Sequence, residues 1–577
     1  MAFVISNKPI SNSKKIDQLY VKSEDFYKSG NNFLFLKGST FSPYESEGEI
    51  FDAIHRKGIE MIKEIEGEFF IIFYDSISGQ IYFANDRLGR ESVFYYYNKT
   101  SFIISDDFWQ IVNIIEPKES DFDIEAIKEF VVFDRPLFFR TIIKFLNFFP
   151  PAIIGSFSVK EQRLDINIYF EFKLDVKSCD NIDTAVERID RLINNTLKKI
   201  KEKHPTATFG IGLSGGLDSR LVPHYAANNK IEVKSFIIGE KRLNKLFVTK
   251  DHVSARKLAK IFNLKLYEIS PECTTLERKS YLITRFSPMT KARYLDTVEE
   301  WELPGFDIFL TGMEGGELFG AYLPPNIQEM SDKELVDSIL QKWGLSKGPK
   351  KLSSFILDIQ ASQIFPALLR KIKGRKRRKL INEVDFLKIK EKIASFVKSE
   401  RRKEKNNIEI YKKFILQHSS SNHKYCTFSM YCKKINYSIF SPLYCKRENT
   451  KWKPEYFLNE KLRMYFYLKK FPELSKIVIQ DNRLPPFYRY KKSIFITFLN
   501  ALSYFLRGSG INYFVWESRK EFLIFARKVL LKHNKFFEEI FDVPMALSQD
   551  FIPPNLLKVK QILDLISSGE YKNFCEK

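Results

Sequence analysis

Residues Phe209–Tyr225 read FGIGLSGGLDSRLVPHY. An apolar run delivers Ser214, Gly215, Gly216, Leu217, Asp218 and Ser219 to the start of a segment with helical character. An ordinary tight turn accounts for the glycines, but not for this set at a strand-to-helix junction. In an open α/β sheet, ligands bind at the carboxyl ends of the strands, where each loop feeds a helix. Gly215 and Gly216 can take φ > 0 and expose N–H groups with no Cβ in the way. The following helix adds unpaired N–H donors and a positive dipole end. The Ser214 and Ser219 hydroxyls add directional donors, which completes a phosphate cradle. A carboxylate at position 218 would repel polyphosphate unless it held a cation, so the set predicts a nucleotide with Mg²⁺. No Gly-Lys-Ser/Thr follows, which excludes a Walker loop. The spelling GxGxxG from Gly210 to Gly215 places its first two glycines inside the strand, where the dinucleotide fingerprint does not need them.

Outward from this loop, strands alternate with helices. "NIDTAVERIDRLINNTLKKIKEK" has helical apolar spacing, and "EVKSFIIG", "LKLYEIS" and "FDIFLTG" read as strands separated by helical segments. That order predicts a doubly wound parallel sheet. Pro223 falls in the first turn of its helix, where a missing N–H is tolerated. The first ~170 residues read differently. "EGEFFIIFYDSISGQIYFANDR" predicts a hairpin about a Ser-Gly turn, and "ESVFYYYNKTSFIISDD" a second about Asn-Lys. "DIEAIKEFVVF" predicts a short helix, and the chain breaks at Pro150 and Pro151 before returning to strand. Ser331 to Lys405 is charged and predicted helical. It contains the basic run Arg370 to Lys379, which reads as solvated surface or, less simply, as an anion site. "SIFITFLNALSYFLRG" near the C-terminus reads as a packed helix rather than a membrane contact, because Asn500 and two serines interrupt it.

At 577 residues the chain predicts two or three domains. The 54 Phe and 27 Tyr supply apolar surface for sizeable cores. With 93 Lys+Arg against 71 Asp+Glu, the net charge of +22 favours anionic partners. A lysine-rich composition without functional meaning explains it equally well. The six cysteines form no CxxC pair and the seven histidines no HExxH, so zinc is not expected. No signal-peptide core and no long uncharged apolar run appear, which predicts a cytoplasmic protein without stable membrane insertion.

"LSGGLDS" resembles the pyrophosphate loop of ATP pyrophosphatases, and the chain around it is similar to glutamine-dependent asparagine synthetases and their relatives, the β-lactam synthetases and lasso-peptide cyclases. "GEFFIIFYD…FANDRLGRESVFYYY" resembles the amidotransferase core of that family, and "RTIIKFLNFFPPA" the strand that ends this domain. "DHVSARKLAKIFNLKLYEI" resembles the second synthetase crossover, and "LTGMEGGELFGAY" the segment SGEGADELFGGY. The resemblance runs to about residue 490. It implies a glutaminase-like (Ntn-type) αββα domain over 1–172 and an ATP-pyrophosphatase (HUP-like) synthetase domain over 180–490; beyond it, residues 491–577 are expected to form a helical extension. It implies adenylation of a carboxylate by ATP–Mg²⁺ and capture of the acyl-AMP by ammonia or an amine. Ser214, Gly215, Gly216, Asp218 and Ser219 would hold the pyrophosphate portion. Leu213, Ile237 and Gly239 would lie at the nucleotide pocket, and Thr311 and Gly312 at the ribose.

Three departures qualify the resemblance. Ala2 stands where family glutaminases carry the nucleophilic cysteine, and a methyl group forms no thioester. The N-terminal domain is therefore expected to be an inert scaffold. Gly316 and Met313 replace two acidic positions of the second motif, which leaves Glu314 as the candidate second metal ligand beside Asp218. Glu317 reads either as catalytic or as a favourable charge at a helix start. Around "DNRLPPF", Arg483 reads either as a substitute for the family's late lysine or as a surface arginine; it stays protonated and is no base. The expected catalytic set is thus Asp218, Glu317 and Arg483. Three functions stay open: an amide-forming ligase acting on a small-molecule or peptide carboxylate, a nucleotide-binding pseudoenzyme, and a tRNA-modifying type of ATP pyrophosphatase. The basic run lacks the interleaved aromatics of a base-stacking surface, so nucleic acid is the least favoured partner. The oligomeric state stays open, a homodimer included.

Overall fold

A computed structural model describes residues 3–574 except 24, 45, 173, 175–180, 240–247, 271–273, 291–293, 295–296, 298, 300–302, 314, 322, 325, 347–373, 424–434, 446–451, 478–519 and 550. The N-terminal part contains β1 (Val4–Ser6), β2 (Lys14–Ile16), β3 (Leu19–Lys22), β4 (Tyr27–Ser29), β5 (Asn32–Ser42) and β6 (Glu66–Asp75). It continues with β7 (Gln80–Asn85), β8 (Phe94–Tyr97), β9 (Phe102–Ser105), β10 (Leu146–Phe148), β11 (Ile153–Ser158) and β12 (Arg163–Ile168). These form two six-stranded sheets, ordered β10-β8-β9-β1-β3-β2 and β12-β11-β7-β6-β5-β4. Every pairing described within them is antiparallel.

Both predicted hairpins are present, with Asp75 opposite Gln80 in one and Tyr97 opposite Phe102 in the other. β6 reads as an unbroken apolar run because both of its faces are buried. Phe70, Ile72 and Tyr74 point into the core between the sheets, while Phe69, Ile71 and Phe73 pack on the other side against α1 (Glu47–Lys57). On the outer face of the other sheet lie α2 (Phe108–Ile115) and α3 (Ile124–Phe133), the helix predicted at "DIEAIKEFVVF". Helix, sheet, sheet and helix stack in that order, which is the αββα layering expected.

The second sheet system is parallel throughout: β13 (Phe209–Gly212), β14 (Val233–Ile238), β15 (Leu266–Ile269), β16 (Ile308–Thr311) and β17 (Ile435–Ser438). Its order is β15-β14-β13-β16-β17. Chain progress runs outward in one direction from β13 to β15, then restarts on the opposite side of β13 with β16. The reversal falls between β13 and β16, and such a switch point leaves a crevice at the strands' carboxyl ends. Helices α4 (Ile182–Lys203), α5 (Leu221–Asn228) and α6 (Lys250–Ile261) follow the predicted segments. Gly210 and Gly212 lie in β13, and Gly210 is needed there because a Cβ would come within 2.7 Å of the Phe306 ring. Gly210 thus serves strand packing, in keeping with the rejection of the dinucleotide fingerprint.

The C-terminal region is helical where described, with helices over Lys520–Leu530, Lys535–Ile540, Val543–Leu547 and Pro554–Ser568. It shares a core with α2, α3 and α7 (Leu276–Phe286). Trp109 of α2 is fully buried, donates its indole N–H to the Thr284 carbonyl at 3.0 Å, and meets the rings of Tyr571 and Phe574. Glu68 of β6 reaches the parallel sheet, accepting from the Ser438 N–H at 3.3 Å and from the Ser441 hydroxyl. "SIFITFLNALSYFLRG" lies outside the described residues. Among those described, no helix is long and apolar enough to cross a membrane.

Candidate nucleotide site

The site is built where the β13 loop meets the segment after β16. The two lie far apart in sequence: the Gly316 N–H donates to Asp218 Oδ2 at 3.2 Å across 98 positions. Gly312 and Gly315 explain the glycine content of the second motif. A Cβ on Gly312 would lie 2.5 Å from the Asp218 carbonyl, and one on Gly315 would collide with Oδ1 of its carboxylate. The loop also closes on itself, with the Ser214 and Ser219 hydroxyls 2.8 Å apart and the Gly216 N–H donating to Ser214 Oγ at 3.1 Å.

The donors differ from those expected. Neither Gly215 nor Gly216 has positive φ. The Gly215 N–H is spent on Asp251 in the first turn of α6, and the Gly216 N–H on Ser214. Among the described residues, no acceptor meets the amides of Leu217, Asp218 or Ser219. Successive free amides of this kind form an anion-binding concavity. The amides without an acceptor thus lie at Leu217, Asp218 and Ser219, just before α5, and not at the two glycines.

Side chains that the sequence reading passed over fix the loop. Arg220 is fully buried and donates to four carbonyls: Gly215 at 2.9 Å, Gly216 at 3.1 Å, Leu474 at 3.1 Å and Ile477 at 3.0 Å. Burial pushes its pKa down to about 10, which leaves it charged near neutrality. The helix Lys461–Lys470 supplies Arg463 and Tyr467, four residues apart and so on one face. Arg463 pairs with Asp218 and, at 2.5 Å, with Glu460; Tyr467 donates to the Leu217 carbonyl. Burial raises the Asp218 pKa, Arg463 opposes that, and Glu317 adds to the rise. The spacing of Arg463 and Tyr467 was the available signal for this face; nothing in the sequence marked it as buried.

The remaining candidates fall as follows. Leu213 is buried, and its N–H donates to the Phe236 carbonyl at 2.8 Å. Ile237 is buried at the end of β14, and Gly239 follows it at φ +148°. Thr311 Oγ1 accepts from the Met313 N–H at 3.2 Å. Glu317 is half-buried in the first turn of α8 (Gly315–Phe319), where its charge favours the helix start, and it lies close enough to Asp218 to influence it. Ala2, Glu314 and Arg483 lie outside the described residues.

Magnesium does not fit as the resemblance implied. Asp218 already serves Arg463 with one oxygen and Gly316 with the other. No group of three acidic, histidine or cysteine side chains suited to a metal occurs among the described residues. The basic run is also partly internal: Arg377 pairs with Asp134 at 2.8 Å, and Arg378 with Glu383.

Lys412 extends the polar wall beyond α8. It is buried, donates to the Leu318 carbonyl at 2.7 Å and lies over the rings of Phe172 and Phe457. Burial pushes its pKa down to about 7, against a pull upward from Glu317. Between that value and its ordinary 10.5, the unfolded chain holds the proton and the folded one releases it. Stability therefore rises with pH from about 7 upward, by at most about 1.4 kcal/mol per pH unit. Lys412→Met is expected to remove that rise when urea unfolding is followed across this pH range.

Residues 27–170 match the profile of the glutamine amidotransferase domain. No curated protein matches the chain. Among solved structures, glutamine phosphoribosylpyrophosphate amidotransferase from B. subtilis, complexed with ADP and GMP, is 8% identical with a TM-score of 0.18. The match covers 43% of this chain and 64% of that one. A structure described as the allosteric regulatory enzyme of purine biosynthesis is 10% identical, covering 47% and 61%, with a TM-score of 0.18. NMN synthetase from Francisella tularensis is 13% identical, covering 41% and 95%, also with a TM-score of 0.18. Likenesses of this size establish no shared fold across the chain. The class that fold and profile define is a mixed α/β protein: an antiparallel sheet domain that matches an amidotransferase profile over residues 27–170, then a parallel sheet, then a helical C-terminal region.

Proposed function

We propose that this protein is an asparagine synthetase-like, ATP-dependent amide-forming ligase. The observation that carries the reading is the junction of the 214–219 loop with residues 311–316 at the switch point, where among the described residues no acceptor meets three successive loop amides. In the reaction, a substrate carboxylate oxygen attacks the α-phosphorus of ATP. An O–P bond forms, the bond to the β-phosphate bridge breaks, and pyrophosphate leaves. An amine or ammonia nitrogen then adds to the acyl carbon, AMP departs, and the nitrogen loses a proton to solvent. The chain's share is placement and charge stabilisation: the amides of Leu217, Asp218 and Ser219 would receive the departing phosphates, and Thr311 and Gly312 would border the sugar. The carboxylate is a small molecule or a peptide, and the expected cofactor is ATP.

Carboxylate-dependent exchange of labelled pyrophosphate into ATP tests this reading. Exchange should occur with the cognate acid and fall at least about 100-fold in Asp218→Ala, which loosens the loop. Exchange that survives this substitution would overturn the assignment of the loop. A second reading, a nucleotide-binding protein without turnover, is favoured by the ion pair that occupies Asp218. It predicts tight nucleotide binding while AMP never accumulates.

A further inference from the structure

We infer that Asp218 anchors Arg463 instead of holding a divalent ion, so that this nucleotide site carries a fixed guanidinium where the resemblance places magnesium. The inference rests on the nucleotide reading above and specifies the cation of that same site.

Four observations converge on it. Both carboxylate oxygens of Asp218 are committed, one to the Arg463 guanidinium and one to the Gly316 N–H. At position 316, where a second acidic ligand would stand, the chain offers a donor, and donors repel cations. Gly315 packs so closely that its missing Cβ would overlap Asp218 Oδ1, which leaves the carboxylate little freedom to turn toward another partner. Finally, Arg463 is only 2% exposed and is shared with Glu460.

Its helix cannot easily withdraw. Tyr467 of the same helix grips the Leu217 carbonyl, and Arg220 ties Gly215 and Gly216 to Leu474 and Ile477 just beyond the helix end. Mg²⁺ demands near-octahedral oxygen ligands at about 2.0–2.1 Å. To reach Asp218 it would have to displace a partly buried ion pair and leave the guanidinium to Glu460 alone. A magnesium ion riding on the nucleotide's own phosphates is compatible with this arrangement; one bonded to Asp218 is not. Arg463 is therefore a positioning residue, fixing the Asp218 carboxylate and through it the loop.

The test is calorimetric binding of ADP to the full chain, in excess EDTA and in excess magnesium, for the wild type, D218N, R463M and D218N/R463M. The fold-change between the two media should be the same in D218N as in wild type, within about threefold. R463M should weaken ADP binding at least about tenfold in both media, because the partly buried Asp218 carboxylate loses its counter-charge and the loop its anchor. The double variant should recover only the part of that loss that Asp218 causes, because Glu460, which also loses Arg463, is unchanged in it. R463K, which keeps the charge, stands in if R463M fails to fold, and should lose affinity in both media alike. Titration with Mn²⁺ followed by electron paramagnetic resonance gives an independent readout. An ion bound by wild type and lost in D218N would overturn the inference, as would magnesium-dependent binding that tightens in R463M. Absence of ADP binding in both media would overturn the nucleotide reading itself, and this inference with it.

Discussion

Replacing Arg220 with methionine is expected to destabilise the protein by about 3 kcal/mol and to abolish ADP binding at the loop. Four carbonyls lose their donor together: the buried ones of Gly215, Leu474 and Ile477 and the partly buried one of Gly216. Each unpaired acceptor costs about 1–3 kcal/mol, and relief of the guanidinium's own desolvation offsets part of the sum. Arg220→Lys should behave almost as badly, because a single ammonium cannot reproduce the planar fork that reaches two chain segments at once. Urea unfolding monitors the first effect and calorimetry the second. A variant that kept wild-type stability and bound ADP normally would show that the loop holds its shape without this clamp.

Trp109→Ala should cost about 3–5 kcal/mol, the range for deleting a buried aromatic side chain. The loss includes the indole bond to Thr284 and the ring contacts with Tyr571 and Phe574. Because those two residues belong to the last described segment of the chain, the effect should be directional. Limited proteolysis should cut the C-terminal region first, while the pairing of β6 and β7 stays protected in hydrogen exchange. Uniform loss of protection across the protein would mean instead that the C-terminal helices and the N-terminal sheets unfold as one.

Much of the architecture could be read from turn chemistry and period. The Ser-Gly turn before Gln80 announced its hairpin, and the alternation of strand and helix from Asn181 onward announced the parallel sheet. The loop's place at a strand end followed from the same alternation. Its electrostatics did not. Arg220, Asp251 and Arg463 are single charged residues at or on helices in a chain with 93 basic side chains, where a lone charge reads as solvated surface. Their burial is decided by contacts across the fold, as between Arg463 and Asp218, 245 positions apart. The glycine donors were misassigned for a related reason. Asp251 takes the Gly215 amide, and nothing local links it to the turn. Within the basic run, Arg377 departs from the solvated-surface reading by pairing with Asp134, whereas Arg378 meets the exposed Glu383.

Glu68 belongs to the antiparallel sheet, yet its carboxylate satisfies Ser438 and Ser441 at the edge of the parallel one. An excision that kept only the later portion would remove this carboxylate and uncover the strand edge it covers. The leading third of the chain thus has a reason to persist through descent that is independent of any reaction it performs: it is a half of the joint on which its neighbour's edge strand sits.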